Sequence, residues 1–309
     1  MQTTEPSLPV SSPAIPVFVD CDNTLGRPRS EIDDGLALLY LLDQPNLFIC
    51  GVSTTFGNAS TDVTTRLTRD LASALGDPFE VHPGGPGDSP AVRALVAASI
   101  EHAGRLVVLG LGALTNIAHA GRMDPVFYDR LAAISVMGGY LAPLRFARRE
   151  VAELNFSSDP QAAHEVLNAP CPITVMSAQL CLRARFGLRH LVLYNRGPRR
   201  LRRLVREWFT SFSLWAGSAG FYLWDLVPAV AVAEPWRFPA VSYRISSSPA
   251  DLRTGRLRLD GPTDPSDVDP CTPGIVSVPD QMLRPARFAR ECASAWVHAV
   301  GVRAVSSLP

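Results

Sequence analysis

The stretch Val17–Leu42, VFVDCDNTLGRPRSEIDDGLALLYLL, decides how the rest of the chain is interpreted. An apolar run leads into Asp20 and Asp22, a loop follows, and Asp33 and Asp34 open an apolar helical pattern. Four carboxylates between one strand end and one helix start repel each other unless a positive charge lies among them. A hard divalent cation, which takes oxygen ligands, is the usual solution. The stretch therefore predicts a metal site.

A helix dipole offers a plainer explanation for part of this acidic cluster. Asp33 and Asp34 fall in the first turn of the predicted helix, where the positive end of the dipole favours acids. The pair Asp20-x-Asp22 follows a buried strand directly, and capping does not explain it. The metal interpretation covers all four acids, whereas the dipole covers two.

Composition narrows the class of protein. The 309 residues are 47% hydrophobic and 19% charged, and the net charge is zero with no Lys at all. The absence of Lys excludes a Lys Schiff base and a P-loop mechanism. The neutral balance argues against a nucleic-acid binder, and no 18-residue apolar run predicts a membrane span.

The cysteines and the first residues bear on cellular location and domain bounds. The six cysteines form no CxxC pair and no framework spacing, which predicts reduced thiols in a cytoplasmic protein. Residues 1–14, MQTTEPSLPVSSPA, lack the basic start and apolar run of a signal peptide. We expect them to form a disordered leader before one domain that spans residues 15–305.

Strand-like apolar runs alternate with helical patterns through the first 180 residues. The predicted strands cover 15–20, 47–55, 105–110, 131–137 and 171–176 with a short run at 79–82, and the predicted helices cover 32–42, 59–75, 91–102, 114–120 and 159–167. This alternation predicts an α/β fold, a single domain with a mostly parallel central sheet and helices on both faces. The later pattern predicts a C-terminal helical cluster with a small hairpin, from helices at 199–219, 223–233 and 281–300 and strands at 240–246 and 255–260 on either side of Gly255.

Polar or Gly-rich segments follow several of the predicted strands. They are FGN at 56–58, LGLGALTN at 109–116 and MGG at 137–139, on the same sheet edge as the acids. Ligands of such sheets bind outside the carboxyl ends of the strands. Their convergence predicts a site at that edge.

The opening stretch by itself resembles a phosphatase motif. VFVDCDNTL is similar to motif I of the haloacid-dehalogenase-like phosphatases, an apolar strand followed by D-x-D-x-T. The resemblance implies a Mg²⁺-dependent enzyme with Asp20 as nucleophile and Asp22 as general acid and base. It covers nine residues, and the second acidic motif has no convincing counterpart because Asp264, Asp267 and Asp269 lie in a Pro-rich segment.

A second resemblance extends from about residue 15 to residue 235. Six segments occur in the order found in the calcium-dependent nucleoside hydrolases, the inosine-uridine-preferring family: DCD with DDGLALL, GVSTTFGNASTDVTTR, LGLGALTNIA, VMGG, AELNFSSDPQAA and WDLVPAVAVAEP. Six segments in order are far more specific than one short motif. The resemblance implies an enzyme that hydrolyses the N-glycosidic bond of ribonucleosides to base and ribose.

The same resemblance implies the residues that hold the metal. Ca²⁺ would be bound by Asp22, Asp34, Asp225 and the main-chain carbonyl of Leu111. Asp22 would also be the general base for the water that attacks the sugar C1′. Asn58 would form hydrogen bonds near the metal and the nucleophile, and Asp20 would orient the cluster from behind.

The resemblance also implies how a nucleoside binds. Asp33 would accept from the ribose 2′-hydroxyl, Asn155 would bind ribose hydroxyls, and Glu153 would lie on the 5′ side. Trp224 stands where many members carry a His, and an aromatic residue there is typical of the purine-preferring subgroup, in which it stacks on the base. Phe221 or Tyr222 would extend this aromatic wall.

Each of these residues also has a plainer explanation. Asn58 follows a Gly as turn residues do, and Asp225 opens a helix as caps do. Glu153 and Asn155 alternate as the polar face of a strand would, and Trp224 is compatible with a core position. Asp159 before Pro160 is expected to cap the next helix.

Departures from the family pattern leave the substrate open. The loop between Asp22 and Asp33 is longer than the family's and carries Arg27 and Arg29. The link from MGG to AELN lacks the family's GN and carries Arg145, Arg148 and Arg149, and the segment 83–103 is short. An altered or phosphorylated 5′ end, or a protein that binds a nucleoside or sugar without turnover, therefore stays an alternative. The family's assemblies imply a homodimer or homotetramer.

Overall fold

The structure, a computed structural model, describes residues 13–146, 149–194, 198–263 and 269–302. The leader predicted for residues 1–14 lies outside these ranges except for its last two residues, and so do Arg148, Asp264, Asp267 and the end of the predicted domain. The described strands are β1 (Ile15–Cys21), β2 (Leu47–Thr54), β3 (Val81–Pro83), β4 (Leu106–Gly110), β5 (Leu131–Met137), β6 (Leu144–Phe146), β7 (Arg149–Val151), β8 (Ile173–Met176), β9 (Arg185–Phe186), β10 (Phe221–Tyr222), β11 (Ala240–Ile245), β12 (Leu259–Thr263) and β13 (Ile275–Pro279).

The described helices cover both the alternating part and the C-terminal part of the chain. They are α1 (Asp33–Leu42), α2 (Thr61–Ala74), α3 (Pro90–Glu101), α4 (Thr115–Met123), α5 (Asn155–Ser158), α6 (Pro160–Leu167), α7 (Ala178–Cys181), α8 (Leu188–Leu193), α9 (Arg199–Ala216), α10 (Leu226–Ala233), α11 (Pro249–Leu252) and α12 (Pro285–Val302). Asp159 caps α6 as expected, because its carboxylate accepts from the backbone N–H of Ala162 at 3.0 Å.

Nine of the described strands form one sheet, in the order β12-β11-β13-β8-β5-β4-β1-β2-β3. The strands from β13 to β3 pair in parallel, and β11 pairs antiparallel with both of its neighbours. Strand β1 is buried along almost its whole length, as a central parallel strand with helices on both faces must be. The predicted α/β class, with a mostly parallel sheet and a single domain, is confirmed.

The side chains of β1 alternate between two apolar cores. Val17 and Val19 belong to the core that also contains the buried faces of α1, α9, α10 and α12. Phe18 belongs to the other core, under α3, α4 and α6. Helices therefore cover both faces of the sheet, and the helical cluster of the C-terminal half packs on one of them.

The largest differences from the predicted elements lie in the second half. The predicted hairpin is not a separate element, because β11 and β12 extend the central sheet. Strand β13, IVSVP, was not predicted and joins β11 to β8. The last helix begins at Pro285 rather than at residue 281, and α10 begins at Leu226 rather than at residue 223.

Candidate active site

The carboxyl ends of the central strands bring the predicted site residues to one edge of the sheet. Backbone hydrogen bonds join these ends, from Thr55 to the Cys21 carbonyl at 2.9 Å and from Leu111 to the Asp20 carbonyl at 2.8 Å. Helices α1 and α10 begin at the same edge, directly at the predicted acids. The positive ends of two helix dipoles thus point to a group of carboxylates.

Three buried carboxylates form the floor of this edge. Oxygen atoms of Asp33, Asp34 and Asp225 all lie within 4.8 Å of one another. The backbone N–H of Asp225 donates to Asp33 Oδ2 at 3.1 Å, and the backbone N–H of Asp22 donates to Asp34 Oδ1 at 3.2 Å. Asp225 occupies the N-cap position of α10, as the plainer interpretation predicts, but its side chain makes no capping hydrogen bond.

This carboxylate group fits a divalent cation. Asp33 Oδ1 and Asp34 Oδ2 are buried and have no hydrogen-bond partner among the described residues. The ion pairs of the described residues include none of these three carboxylates. Buried, unpartnered and like-charged oxygens are costly without a compensating charge, and a set made only of oxygen atoms suits a hard cation.

The pKa values of these three carboxylates also reflect the lack of a compensating positive charge. Burial raises the pKa of Asp33 to about 7, against the backbone hydrogen bond from Asp225. Burial and neighbouring carboxylates, Asp22 and Asp33 above all, raise the pKa of Asp34 well above its usual value. Burial and the charges of Asp33 and Asp34 do the same for Asp225. Without a cation the group retains protons that a bound cation would displace.

Asp22 lies beside this group and is held by the loop after β2. Asn58 donates to both of its oxygens, from the backbone N–H to Oδ2 at 2.5 Å and from Nδ2 to Oδ1 at 3.1 Å. The loop approaches so closely that a Cβ at Gly57 would lie 2.2 Å from Asp22 Oδ2, and the φ of Gly57 is +154°. Burial raises the pKa of Asp22 to about 6, although the hydrogen bonds from Asn58 lower it. Asn58 is therefore more than a turn residue.

The structure also brings Asn155 to Leu111. Asn155 Nδ2 donates to the Leu111 carbonyl at 3.0 Å and to the Met137 carbonyl at 3.2 Å, linking the ends of β4 and β5. Asn155 is the first residue of the short helix α5, so the interpretation of Glu153 and Asn155 as a strand face is wrong.

Glu153 is buried and its carboxylate is occupied by backbone groups. It accepts from the N–H of Asn155 at 2.6 Å and from that of Phe156 at 3.0 Å. Burial raises its pKa to about 7, against these hydrogen bonds. Glu153 thus fixes the first turn of α5 and hence the position of Asn155.

Asp20 lies behind the acidic group rather than in the cavity. Its Oδ1 accepts from Ser53 at 2.6 Å and from Asn116 at 2.8 Å, and its side chain is fully buried. Asn116 also donates to the Thr54 carbonyl, so the three residues join β1, β2 and α4. Asp20 thus ties the ends of these elements together, and its Oδ2 is buried with no hydrogen-bond partner among the described residues.

A cavity of about 510 Å³ opens at this edge and reaches the carboxylate group at Asp225, whereas Asp22, Asp33 and Asp34 are not among its lining residues. Six of the residues selected from the sequence line it: Asn58, Leu111, Glu153, Asn155, Trp224 and Asp225. Trp224 is half-buried, and its ring centroid lies 5.2 Å from that of Tyr222. Phe221 stacks instead on Phe186 at 5.0 Å in the core, so it does not extend the aromatic wall of the cavity.

Of two residues in the long loop, Arg29 was named from the sequence in connection with a phosphorylated substrate, whereas Glu31 was not selected. Arg29 and Glu31 line the cavity, and burial with the charges of Asp33 and Asp22 raises the pKa of Glu31 well above its usual value. Glu31 stands two residues before the Asp33–Asp34 pair, and this short spacing was the signal that could have identified it as a site residue. Arg27 and Arg145 do not line the cavity, and Arg145 pairs instead with Glu150 at 3.6 Å on the surface.

Sequence reasoning also missed the aromatic residues of α9. Trp208, Phe212 and Trp215 line the cavity, together with Phe146 from β6. Their spacing of four and three residues places them on one helix face. Basic residues dominate the sequence at 196–206, and they concealed that signal.

The cysteines and helices bear on the expected location. All six cysteines are unpaired. Within the ranges that the structure describes, no helix is both long enough and apolar enough to cross a membrane.

Comparison with known proteins places these features in a family. The family model described as inosine-uridine preferring nucleoside hydrolase matches residues 17–269. A uridine nucleosidase of Arabidopsis thaliana is 27% identical over 66% of this chain and 71% of the relative. The inosine-uridine preferring nucleoside hydrolase of Crithidia fasciculata is 26% identical over 79% and 85%.

Solved structures agree in fold. A purine-preferring ribonucleoside hydrolase from Gardnerella vaginalis superposes with a TM-score of 0.77 at 18% identity, covering 93% of this chain and 99% of the other. A plant nucleoside hydrolase gives a TM-score of 0.77 at 20% identity, covering 92% and 99%. Because the family model spans most of the chain, this protein belongs to the inosine-uridine preferring nucleoside hydrolase family and is an N-ribosyl hydrolase.

Proposed function

We propose that this enzyme hydrolyses purine ribonucleosides with Ca²⁺ held by Asp22, Asp34, Asp225 and the Leu111 carbonyl. The observation that carries the proposal is the group of three buried carboxylates within 4.8 Å, two of whose oxygens have no partner among the described residues. The cation, when bound, polarises water and orients the ribose diol. Asp33 lies in the same group and accepts from the ribose 2′-hydroxyl.

Asp22 is the general base in this proposal. A base works best with a pKa near the working pH, and burial raises the pKa of Asp22 to about 6. The two hydrogen bonds from Asn58 fix the orientation of its carboxylate. The other carboxylates face the sugar, where positive charge develops as the glycosidic bond breaks, and stabilise that charge.

Ribose is positioned by the residues between β5 and α6. Asn155 binds sugar hydroxyls, and Glu153 holds the turn from which Asn155 projects. Trp224 lines the cavity and stacks on the leaving base. An indole does not donate a proton as an acid, so the base leaves after protonation by solvent. That requirement favours purines, whose ring nitrogens are basic.

Base release from a substrate panel tests the proposal. Purified protein is incubated with adenosine, inosine, guanosine and uridine, before and after chelation. We expect base release from the purine nucleosides, loss of release with chelator, and recovery with Ca²⁺ but not with Mg²⁺. Absence of chelator-sensitive release from every nucleoside contradicts hydrolysis, and tight binding of an unchanged nucleoside would identify a binding protein without turnover.

The 5′ end of the substrate is tested in the same panel. Arg29 lines the cavity, and an exposed guanidinium recognises a phosphate well. We therefore include inosine 5′-monophosphate and the variant Arg29→Ala. If the phosphate is part of the substrate, the monophosphate has the higher kcat/KM and Arg29→Ala removes that advantage.

We also propose a cytoplasmic location and a homodimer or homotetramer. Six unpaired thiols suit a reducing compartment. Light scattering of the purified protein measures its mass in solution, and a monomer at micromolar concentration contradicts the proposed assembly.

A further inference from the structure

Five aromatic residues among those that line the cavity form an aromatic wall, which we define as Phe146, Trp208, Phe212, Trp215 and Trp224. Phe146 is its centre. The Phe146 ring centroid lies 5.6 Å from that of Phe212, 5.8 Å from that of Trp215 and 6.3 Å from that of Trp224. These separations are those of offset and edge-to-face aromatic pairs, so the wall is packed and preformed.

Two elements outside the central sheet supply four of the five rings of this wall, and Trp224 lies between β10 and α10. The β6–β7 hairpin supplies Phe146, with Leu144 and Val151 beside it, and α9 supplies three rings from one face. Tyr222 supports Phe146 from outside the lining, stacked on it at 5.4 Å. The leaving group therefore meets a surface that the hairpin and α9 make together.

The wall offers few polar partners. Apart from indole N–H groups, the only polar side-chain group that the hairpin and α9 place on the cavity, within the described residues, is the Ser211 hydroxyl. The Trp208 N–H is itself buried and has no described partner, so this side chain presents its carbon ring. Among the described residues, the hairpin and α9 place no carboxylate, amide or guanidinium group on the cavity, and its charged and amide side chains come from other elements: Arg29, Glu31, Asn58, Glu153, Asn155 and Asp225.

An unsubstituted base suits such a wall poorly. Purines carry donors and acceptors along their edges, and a buried polar atom without a partner costs about 1–3 kcal/mol. An alkyl or aryl substituent covers part of that edge and adds apolar area that the aromatic rings bury. The wall therefore discriminates between bare and substituted bases.

We propose that the aromatic wall binds an apolar substituent on the leaving base, so that the preferred substrates are purine ribonucleosides with an alkyl or aryl group on the base. This inference rests on the proposed nucleoside hydrolysis and names its substrate class. Phe146 and Trp215 set the preference by contact with the substituent, and the acidic floor supplies the reaction in either case.

Paired substrates test the inference in the Ca²⁺-loaded enzyme. We expect kcat/KM for N⁶-benzyladenosine to exceed that for adenosine about tenfold or more, since each well-packed apolar group is worth roughly 10–200-fold in discrimination. Phe146→Ala and Trp215→Ala should each reduce this ratio to within about threefold of unity, because each removes a ring that contacts the substituent. Trp215 is partly exposed, so its truncation tests the wall even if Phe146→Ala is unstable.

Leu214→Ala is the matched control. Leu214 lies on the same helix but on its outer face, where its side chain is 77% exposed. This variant should keep both the ratio and the rate for adenosine.

Two readouts separate this inference from the proposed function. Calorimetry measures binding of both nucleosides, and chromatography measures base release. Equal kcat/KM and equal affinity for the two nucleosides overturn the inference while hydrolysis stands. Preferential binding of the benzyl compound that Phe146→Ala or Trp215→Ala abolishes supports the inference even if no nucleoside is hydrolysed.

Discussion

The floor and the wall of one cavity are built in different ways. The floor carboxylates stand at a strand end and at two helix starts, where backbone N–H groups of Asp22, Asn58 and Asp225 hold their oxygens. The wall is held by ring packing around Phe146, between a hairpin and a helix. We propose that the chemistry resides in the floor and the choice of substrate in the wall, so we expect loss of an acid to cost more activity than loss of one ring.

The largest effect is expected in the floor. Asp225→Ala removes a buried carboxylate from the group of three, and we expect kcat to fall by about 10²–10³-fold or more, the scale seen when one preorganised electrostatic group is lost. Calorimetry should show weakened Ca²⁺ binding in parallel. Asp62→Asn, which alters an exposed acid in the first turn of α2, is the control and should keep both properties. Near-normal activity of Asp225→Ala would place the chemistry elsewhere.

We expect a smaller loss of activity when a residue that holds Asp22 in place is changed than when one of the acids is removed. Asn58→Ala removes a side-chain hydrogen bond to Asp22 and keeps the backbone one, and partners of this kind are worth about 10–100-fold in activity or metal affinity. Because hydrogen bonds to a carboxylate lower its pKa, their loss raises the pKa of Asp22. The acid limb of the kcat/KM profile should therefore move to higher pH. An unshifted limb would show that Asp22 is not the titrating base.

The wall should respond more mildly to a single change. Trp224→Ala removes one stacking partner, worth about 0.5–1.5 kcal/mol, so kcat/KM for purine nucleosides should fall about 2–10-fold. Trp224→Phe keeps a ring and should recover most of the loss. A fall as large as that of Asp225→Ala would contradict the separation of chemistry from substrate choice.

The smallest effect concerns stability without metal. Folding raises the pKa of Asp22 to about 6 and that of Asp33 to about 7, so the folded state binds protons more tightly than the unfolded chain. The stabilising contribution is complete below the unfolded pKa near 4 and is lost as pH rises toward 7. In chelator, Tm should be higher at pH 5.5 than at pH 8 by roughly several degrees, as about 2–4 °C accompany each kcal/mol in a chain near this size.

Calcium provides the check on that pH dependence. Because the cation needs ionised carboxylates, adding Ca²⁺ should raise Tm more at pH 8 than at pH 5.5. Scanning calorimetry at both pH values measures the difference. If Tm in chelator is lower at pH 5.5, the carboxylates are compensated by something other than a metal.

The sequence predicted the elements that carry the acids more accurately than the short strands and the hairpin of the second half. Residues of β1 and α1 carry their own signals, a continuous apolar run and an acidic first turn, and both elements were predicted to within a residue or two. Strand β13 was missed because IVSVP is short and follows a Pro-rich segment, and its neighbours β8 and β11 are distant in sequence. The β6–β7 hairpin was interpreted as a connecting segment because its strands have only three residues each.

The sequence by itself determined the parallel sheet, the acids at its edge and the family, because hydrophobic periodicity and motif order are local properties of the chain. Only the tertiary structure decided which acids share one space, since Asp225 reaches Asp33 from 192 residues away. It also decided that α9 and the hairpin turn their aromatic rings to the same cavity. Packing between distant elements has no signature in any single segment. Of the wall that we propose selects the substrate, only Trp224 was selected from the sequence, and the rings of α9 and the hairpin depended on the structure.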